Sequence, residues 1–411
     1  MGEILFLAHR VPFPPNRGDK IRSHHLLRAL AALAPVHVGC FGETVEDMAA
    51  DSALADLARS RCVVHRAKPL ARAGIEAIAN NRPVSLTAFA SGRLRDWIDL
   101  TLAMRPIDTV FVFSGQMGQY VPDGFRGRVI IDLCDVDSAK FEAYAHDHRG
   151  PRAALYRREA RLLAREEARL VRRADAALLV TEAEVELLRA RLPDPVGANV
   201  LALGNGIDTL LYDPARIAPH AAIAGVAGPH LMFTGQMDYP PNIAAVERFV
   251  AHILPTIHAH HPGAQFHIVG RAPTARVRDL AGEMGVTVWG SVPDIRPFIA
   301  AADLVVAPLA IARGVQNKVL EAMAMARPVV LSGEAATGIT ACDGEHFAIG
   351  RDDAALAARA LALLQDKDGA RRMGQAARRF VVERHGWDAM LAPLARLVGR
   401  GDSPVTRRDA A

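Results

Sequence analysis

The sequence predicts an α/β protein built from two doubly wound domains that face a central cleft. Three observations carry this. Short apolar runs alternate with helical stripes along most of the 411 residues. The alternation breaks once, between Gly204 and Pro229, where turn chemistry (GNGID, YDP) gives way to the Ala/Gly/Pro-rich segment HAAIAGVAGP. Within the second half, Ala307 to Gly333 reads strand, loop, helix, strand, which is a parallel crossover. The chain is long for one domain, and one sheet would need about a dozen strands, more than open sheets usually hold.

Composition narrows the class. Half the residues are hydrophobic, 23% are charged, and the formal net charge is +4, values of an ordinary globular protein. So small a charge does not argue for nucleic acid as a partner. Cys40, Cys62, Cys134 and Cys342 are scattered without a C-x-x-C spacing and lie in or beside apolar segments, so buried free thiols are expected. The N-terminus enters a strand with no basic and apolar leader, and no stretch approaches the roughly 18 apolar residues that span a bilayer. The chain therefore reads as cytoplasmic.

In the first series, strand Glu3–Ala8 runs into the Pro-rich loop HRVPFPPNRGDK. Apolar residues at Ile21, Leu26, Leu27, Leu30 and Leu33 then mark a helix, with Asp19 as a first-turn acid or cap. Gly18 stands before that helix, at the strand edge where open α/β sheets bind ligands. The spacing matches neither G-x-G-x-x-G nor the P-loop. The series continues with strand Val36–Phe41, helix Val45–Ala58, strand Cys62–His65, helices Leu70–Ala79 and Gly92–Ala103, and strands Thr109–Phe113 and Val129–Asp132. An Arg/Glu-rich helix over Arg152–Arg173, strand Ala177–Val180 and helix Glu182–Leu192 complete it. The second series has strands near Leu231–Thr234, Gln265–Val269, Val286–Trp289, Leu304–Ala307, Val329–Leu331 and Phe347–Ile349. Its helices are Ala244–His258, Ala275–Glu283, Val315–Met325 and Ala354–Gln365, and two more helical segments end the ordered chain. The expected division is 1–204, a linker 205–229, a second domain 230–385, a helix 386–399 returning to the first domain, and a disordered tail 400–411.

Around Gly314 the chain enters a helix whose unpaired N–H groups suit a phosphate. Lys318 opposes the helix dipole there, and Glu321 stands three residues on. Two readings are open: an anion site, or a solvated Lys/Glu pair. Asp132, Asp135 and Asp137 in IIDLCDVDS invite either a divalent metal or a polar, catalytic role at the cleft without metal, and His9 ends the first strand at the ligand edge. The Arg152–Arg173 helix is either core-packed with a solvated face or a surface for anionic lipid headgroups. No G-x-S-x-G is present, so no serine triad is signalled.

Several motifs together resemble a known family. NGID (Asn205–Asp208) followed by YDP, GSVPDIRPFIAAADLVVAPL (Gly290–Leu309) and GVQNKVLEAMAMARPVV are similar to the signatures of GT-B glycosyltransferases of family four (group 1). LMFTGQMDYPPNIAAVERFV and HRVPFPPNRGDKIRSHHLLRAL resemble a subgroup, the exopolysaccharide sugar transferases that accompany PEP-CTERM/exosortase systems. The resemblance implies two Rossmann-like domains. It also implies a metal-independent, retaining hexosyltransferase without a cofactor, whose donor is a nucleotide-diphosphate sugar. The acceptor would be a saccharide or polyprenyl-linked saccharide held by the first domain, with peripheral contact to the cytoplasmic face of the inner membrane.

By position, Glu321 would hold the ribose, and the backbone of Gly314, Val315 and Gln316 would face the diphosphate and sugar. Gly18 would approach from the other domain, and Gly235 and Asn317 complete the donor set. Two departures matter. Where the family's Glu-x7-Glu pattern has its first Glu, this chain has Arg313. The Arg and Lys that often follow the first strand of the second domain are absent, with Gln236 and Pro241 in that neighbourhood. Lys318, with Arg313, is then the candidate to meet the diphosphate charge, and Asp135 and Lys318 are the catalytic candidates. The rival readings are a sugar-nucleotide epimerase or hydrolase on the same fold, and a non-catalytic assembly subunit.

Overall fold

A computed structural model describes residues 2–194, 197–282, 285–312 and 314–401. The chain divides into two compact units, residues 1–205 with 390–411, and Gly206–Ala389.

The first unit holds a seven-stranded parallel sheet of order β3-β2-β1-β4-β5-β6-β7. Its strands are β1 (Glu3–Ala8), β2 (Val36–Gly42), β3 (Ala58–His65), β4 (Ile107–Phe113), β5 (Arg128–Cys134), β6 (Ala176–Leu179) and β7 (Val200–Ala202). Every residue of β1 and β2 is buried, as expected where helices cover both faces of a parallel sheet. The second unit repeats the plan with six strands in the order β10-β9-β8-β11-β12-β13. These are β8 (His230–Thr234), β9 (Gln265–Val269), β10 (Val286–Gly290), β11 (Leu304–Ala307), β12 (Val329–Ser332) and β13 (Ala348–Gly350). In each sheet the strand order reverses beside the first strand, between β1 and β4 and between β8 and β11. The crevice outside the carboxyl ends of such a pair is where doubly wound sheets bind ligands.

Of residues 205–229, all after Asn205 belong to the second unit. Ile207 donates its N–H to His385 O (2.7 Å), and a short helix, Ala221–Ala224, buries Ile223. The chain re-enters the first unit at Met390, and the helix Leu394–Leu397 packs on the helix Gly18–Leu33. Arg400 secures this end through Asp108 Oδ1 (2.6 Å) and Gly2 O (3.1 Å). Of the expected tail, residues 402–411 lie outside the described residues.

Several elements depart from the sequence expectation, each for a local reason. The helix expected over Val45–Ala58 is two short ones, Val45–Ala49 and Asp51–Ala55, and β3 begins at Ala58. As an edge strand β3 carries polar Arg59, Ser60 and Arg61, which hid its first half from an apolar pattern that shows only Cys62–His65. The Asp-rich loop after β5 becomes the helix Asp137–Asp147, whose buried residues are only Ser138 and Ala145. The long basic helix runs Gly150–Arg173, and two of its glutamates are buried caps rather than members of a solvated face. Glu159 accepts from Val84 N and Ser85 N (both 2.8 Å), and Glu167 from Ser138 N (2.9 Å). Burial pushes the Glu167 carboxyl up to about 7. Cys40 and Cys62 are buried free thiols, but Cys134 is only partly covered and Cys342 is exposed, contrary to expectation. Among the described residues no helix is long and apolar enough to cross a membrane.

Candidate functional site

The site in the second unit forms where β8 and β11 end. Gly235 follows β8 at φ +156°. A side chain there would place its Cβ 2.8 Å from Asn242 Nδ2 and 2.9 Å from Lys318 Nζ. Gly270, after β9, is at φ +155°, and a Cβ would lie 1.6 Å from Gly235 O. Both positions demand glycine, because backbone and an ammonium fill the space a side chain would occupy.

Lys318 comes from the helix Asn317–Ala324 but reaches back over the end of β8. Its ammonium sits 4.1 Å from the Phe233 ring centroid and donates to Asn242 Oδ1 at 2.6 Å. Asn242 in turn donates from Nδ2 to Gln236 O (2.8 Å), so the amide orientation is set. Burial lowers the Lys318 pKa to about 7, with the Glu321 charge opposing the shift. Lys318 thus delivers a cation to the neighbourhood of Gln236 and Pro241, where the sequence lacked one.

Glu321 turns elsewhere. The Tyr212 hydroxyl donates to its carboxylate, and burial raises the Glu321 pKa, against the effects of Tyr212 and Lys318. The solvated Lys/Glu pair left open by the sequence is therefore not what forms: Lys318 has the buried Asn242 as its partner and Glu321 the half-buried Tyr212. Arg378, on the helix Lys367–Arg384, ties this arrangement together. It donates to Tyr212 O (2.8 Å) and to Ala324 O (2.5 Å) at the helix C-terminus, and pairs with Asp213 at 3.1 Å.

The helix begins three residues later than Gly314. Gln316 is its N-cap, and no side chain caps it. Gly314 instead takes φ +64° in the preceding turn, and its carbonyl accepts from Gln316 Nε2 (3.1 Å). Val315, 37% exposed, packs over Gly338, and Asn317 is exposed. Val319 N donates to Gln316 O (3.0 Å), and the Asn317 and Lys318 amides, which the Gln316 side chain does not cap, stand where a helix N-terminus suits an anion. Arg313 lies outside the described residues.

The remaining sequence candidates belong to the first unit. Gly18 opens the helix Gly18–Leu33, with Arg17 as an N-cap whose side chain makes no capping bond and pairs instead with Asp19 (2.8 Å). A Cβ at Gly18 would meet nothing within 4 Å, so the fold does not require glycine there and the approach is open. Asp19 is a first-turn acid rather than the cap, bonded by Arg10 at 2.7 Å and lying 3.3 Å from His9 Nε2. His9 is buried, stacked on Phe113 at 5.6 Å, and burial lowers its pKa. Asp132 is wholly buried and bonded by Arg22 Nε (2.8 Å), which also holds Asn205 Oδ1 (2.9 Å). Asp135 is solvent-exposed on one side. Enclosure on the other, then Glu184 and Asp137, raise its carboxyl above the usual value. The three aspartates do not converge as metal ligands; among the described residues Cys342, Glu345 and His346 are the group whose ligand atoms do.

Comparison with known proteins fits this geometry. Residues 228–366 match the family described as glycosyl transferases group 1. The second unit is a glycosyltransferase domain. No protein of curated function matches the whole sequence. Among solved structures, the glycosyltransferase is similar to sucrose-phosphate synthase from Thermosynechococcus elongatus (TM-score 0.59, 18% identity, 97% of this chain and 98% of that one). It is also similar to Anabaena HepE in complex with UDP (TM-score 0.59, 16% identity, 96% and 98%). A third is the trehalose-6-phosphate synthase of Burkholderia multivorans (TM-score 0.58, 12% identity, 97% and 98%). At these identities the likeness is one of fold, and the fold is GT-B.

Sequence reasoning missed Tyr212, Asn242 and Arg378. Tyr212 had a signal, since it opens the YDP motif, which marked the boundary and the resemblance but was given no role at the site. Asn242 and Arg378 had none: they act through partners 76 and 54 residues away in the chain.

Proposed function

We propose that the chain transfers a hexosyl group, with retention and without a metal, from a nucleoside diphosphate sugar to a saccharide or lipid-linked saccharide in exopolysaccharide assembly. The observation that carries the reading is the Lys318 ammonium held at Gly235 and Asn242, beside an uncapped helix N-terminus. In the reaction the bond from the anomeric carbon to the diphosphate oxygen breaks. A bond to an acceptor hydroxyl oxygen forms, and the hydroxyl proton passes to the departing diphosphate oxygen. The charge that develops on the diphosphate falls where Lys318 and the first-turn amides stand. Glu321, oriented by Tyr212, is suited to accept from ribose hydroxyls, and Gly314, Val315, Gln316 and Asn317 line the approach. Gly18 and Asp135 serve on the acceptor-bearing unit, Asp135 as a polar or basic group at the acceptor. The subgroup motifs support the exopolysaccharide role, and HepE's complexes with UDP and UDP-glucose make uridine donors the first to test.

The test is a transfer assay preceded by a thermal-shift screen of UDP, GDP and ADP and their sugars. A stabilising donor should be consumed only with acceptor present, and Lys318→Ala should lose most turnover while keeping its circular dichroism. Near-normal transfer by that variant refutes the assignment. A donor epimerised or rapidly hydrolysed without acceptor replaces it with the rival activity.

A further inference from the structure

We propose that Arg271 is a second cation of the donor site, binding the diphosphate of the nucleotide sugar together with Lys318. This role rests on the donor reading of the second unit and adds to it a residue from a different strand end. The Arg271 backbone is fixed on both sides. Just past β9, Gly270 N donates to Gly290 O (2.9 Å) at the end of β10, while Arg271 O accepts from Met237 N (2.8 Å) beyond β8. Gly235 N also bonds Val269 O (3.1 Å), so the parallel ladder runs on past the ends of β8 and β9. The next residue, Ala272, takes φ +54°, a left-handed conformation that a residue with a side chain seldom adopts and that proteins keep mostly at active sites and ligand clamps. A rigid mount at the carboxyl edge of a doubly wound sheet thus carries an exposed guanidinium.

The charge on that mount is unanswered. Arg271 Nη2 donates to Gln236 Oε1 (2.8 Å), a neutral acceptor in an exposed bond, and among the described residues no carboxylate pairs with it. The same Gln236 gives its backbone oxygen to Asn242 Nδ2 (2.8 Å), and Asn242 Oδ1 takes the Lys318 ammonium (2.6 Å). Two cations therefore flank one glutamine, Lys318 through Asn242 and Arg271 directly. Lys318 alone answers little of a diphosphate's charge, because burial brings its pKa down to about 7. Arg271 stays charged across the working range of pH, and its planar fork matches two phosphate oxygens at once. A single exposed bond to an amide oxygen yields to such a bidentate pair, in which both partners are charged. Gln236 orients the fork in the free protein and releases it to the phosphates when the donor arrives.

Isothermal titration of the full chain with UDP, GDP, ADP and pyrophosphate tests the assignment. Arg271→Gln should weaken the nucleotide that binds, and pyrophosphate with it, by at least about tenfold, the loss of one charged hydrogen-bonding pair. Arg271→Lys, which keeps the charge and loses the fork, should recover only part of that. Both variants change an exposed side chain and should keep the wild-type melting temperature. Pyrophosphate has neither base nor ribose, so it separates a phosphate contact from stacking on the base. A loss confined to the nucleotide would move Arg271 to the base and overturn the proposal. Wild-type affinity in Arg271→Gln overturns it too, and leaves the donor reading standing. A wild type that binds none of the three nucleotides removes the donor reading and this role with it.

Discussion

Burial holds the Lys318 ammonium at a pKa of about 7, so at neutral pH the free protein carries roughly half a charge there. A diphosphate against Nζ would restore the full charge and raise the pKa again. Binding should then take up about half a proton per site at pH 7 and about 0.9 at pH 8. The sign follows: a pKa lowered in the free protein and raised in the complex makes binding tighter at low pH. Over the alkaline range the apparent dissociation constant should grow as 1 + 10^(pH − 7), about fivefold from pH 7 to 8. From pH 8 to 9 it should grow about ninefold more, approaching the 1.4 kcal/mol per pH unit of one linked proton. Isothermal titration with UDP at pH 8, in two buffers of different ionisation enthalpy, reads the uptake directly, since UDP is already fully ionised. Lys318→Met should bind more weakly at pH 7 and lose both the uptake and the pH slope. A dissociation constant flat from pH 7 to 9, or uptake that persists in Lys318→Met, would refute the role of Lys318.

Three further outcomes are expected. Tyr212→Phe removes the hydroxyl that Glu321 accepts from, so nucleotide affinity should fall about tenfold, on the order of one buried hydrogen bond to a charged group, with the fold intact by circular dichroism. Gly270→Ala sets a Cβ 1.6 Å from Gly235 O at φ +155° and should cost at least about 3 kcal/mol in urea denaturation; a loss under about 1 kcal/mol would contradict the local geometry. His267 is held neutral in a buried chain in which Trp289 Nε1 donates to its Nδ1 (3.1 Å) and its Nε2 meets His230 Nδ1 (3.1 Å). Burial lowers its pKa from 6.5 to about 4. The unfolded chain therefore binds a proton that the native one refuses, and stability should fall by up to roughly 3 kcal/mol as pH drops from 6.5 towards 4. Equal stability of the wild type and His267→Asn across that range would count against it.

Both sheets were legible where strands are buried on both faces, because runs such as ILFLA and LMFT leave no other reading. Two edge strands were less so: the first half of β3 hides behind Arg59 and Arg61, and β7, with three residues, left no pattern. The same division holds at the site. Lys318 and Glu321 stood out because a cation opposing a helix dipole calls for an anion. Their partners did not, because hydrogen bonds between distant segments leave no periodicity in either segment. Where the sequence left a solvated Lys/Glu pair open, Asn242 and Tyr212 take the two side chains apart.

By itself the sequence determined the class of the protein. Apolar runs that suit strands buried on both faces, period-3.6 helical stripes and a strand–loop–helix–strand unit from Ala307 to Gly333 are local properties that any chain with this pattern must express. Only the tertiary structure decided where the charges act. Folding carries Lys318 across to the end of β8 and away from Glu321, and it lowers the lysine's pKa by burial. It also turns Ile75 and Ile78 outward while Ala73 and Ala77 face in. Such outcomes depend on which surfaces are left after the core closes, a property of the whole packed unit.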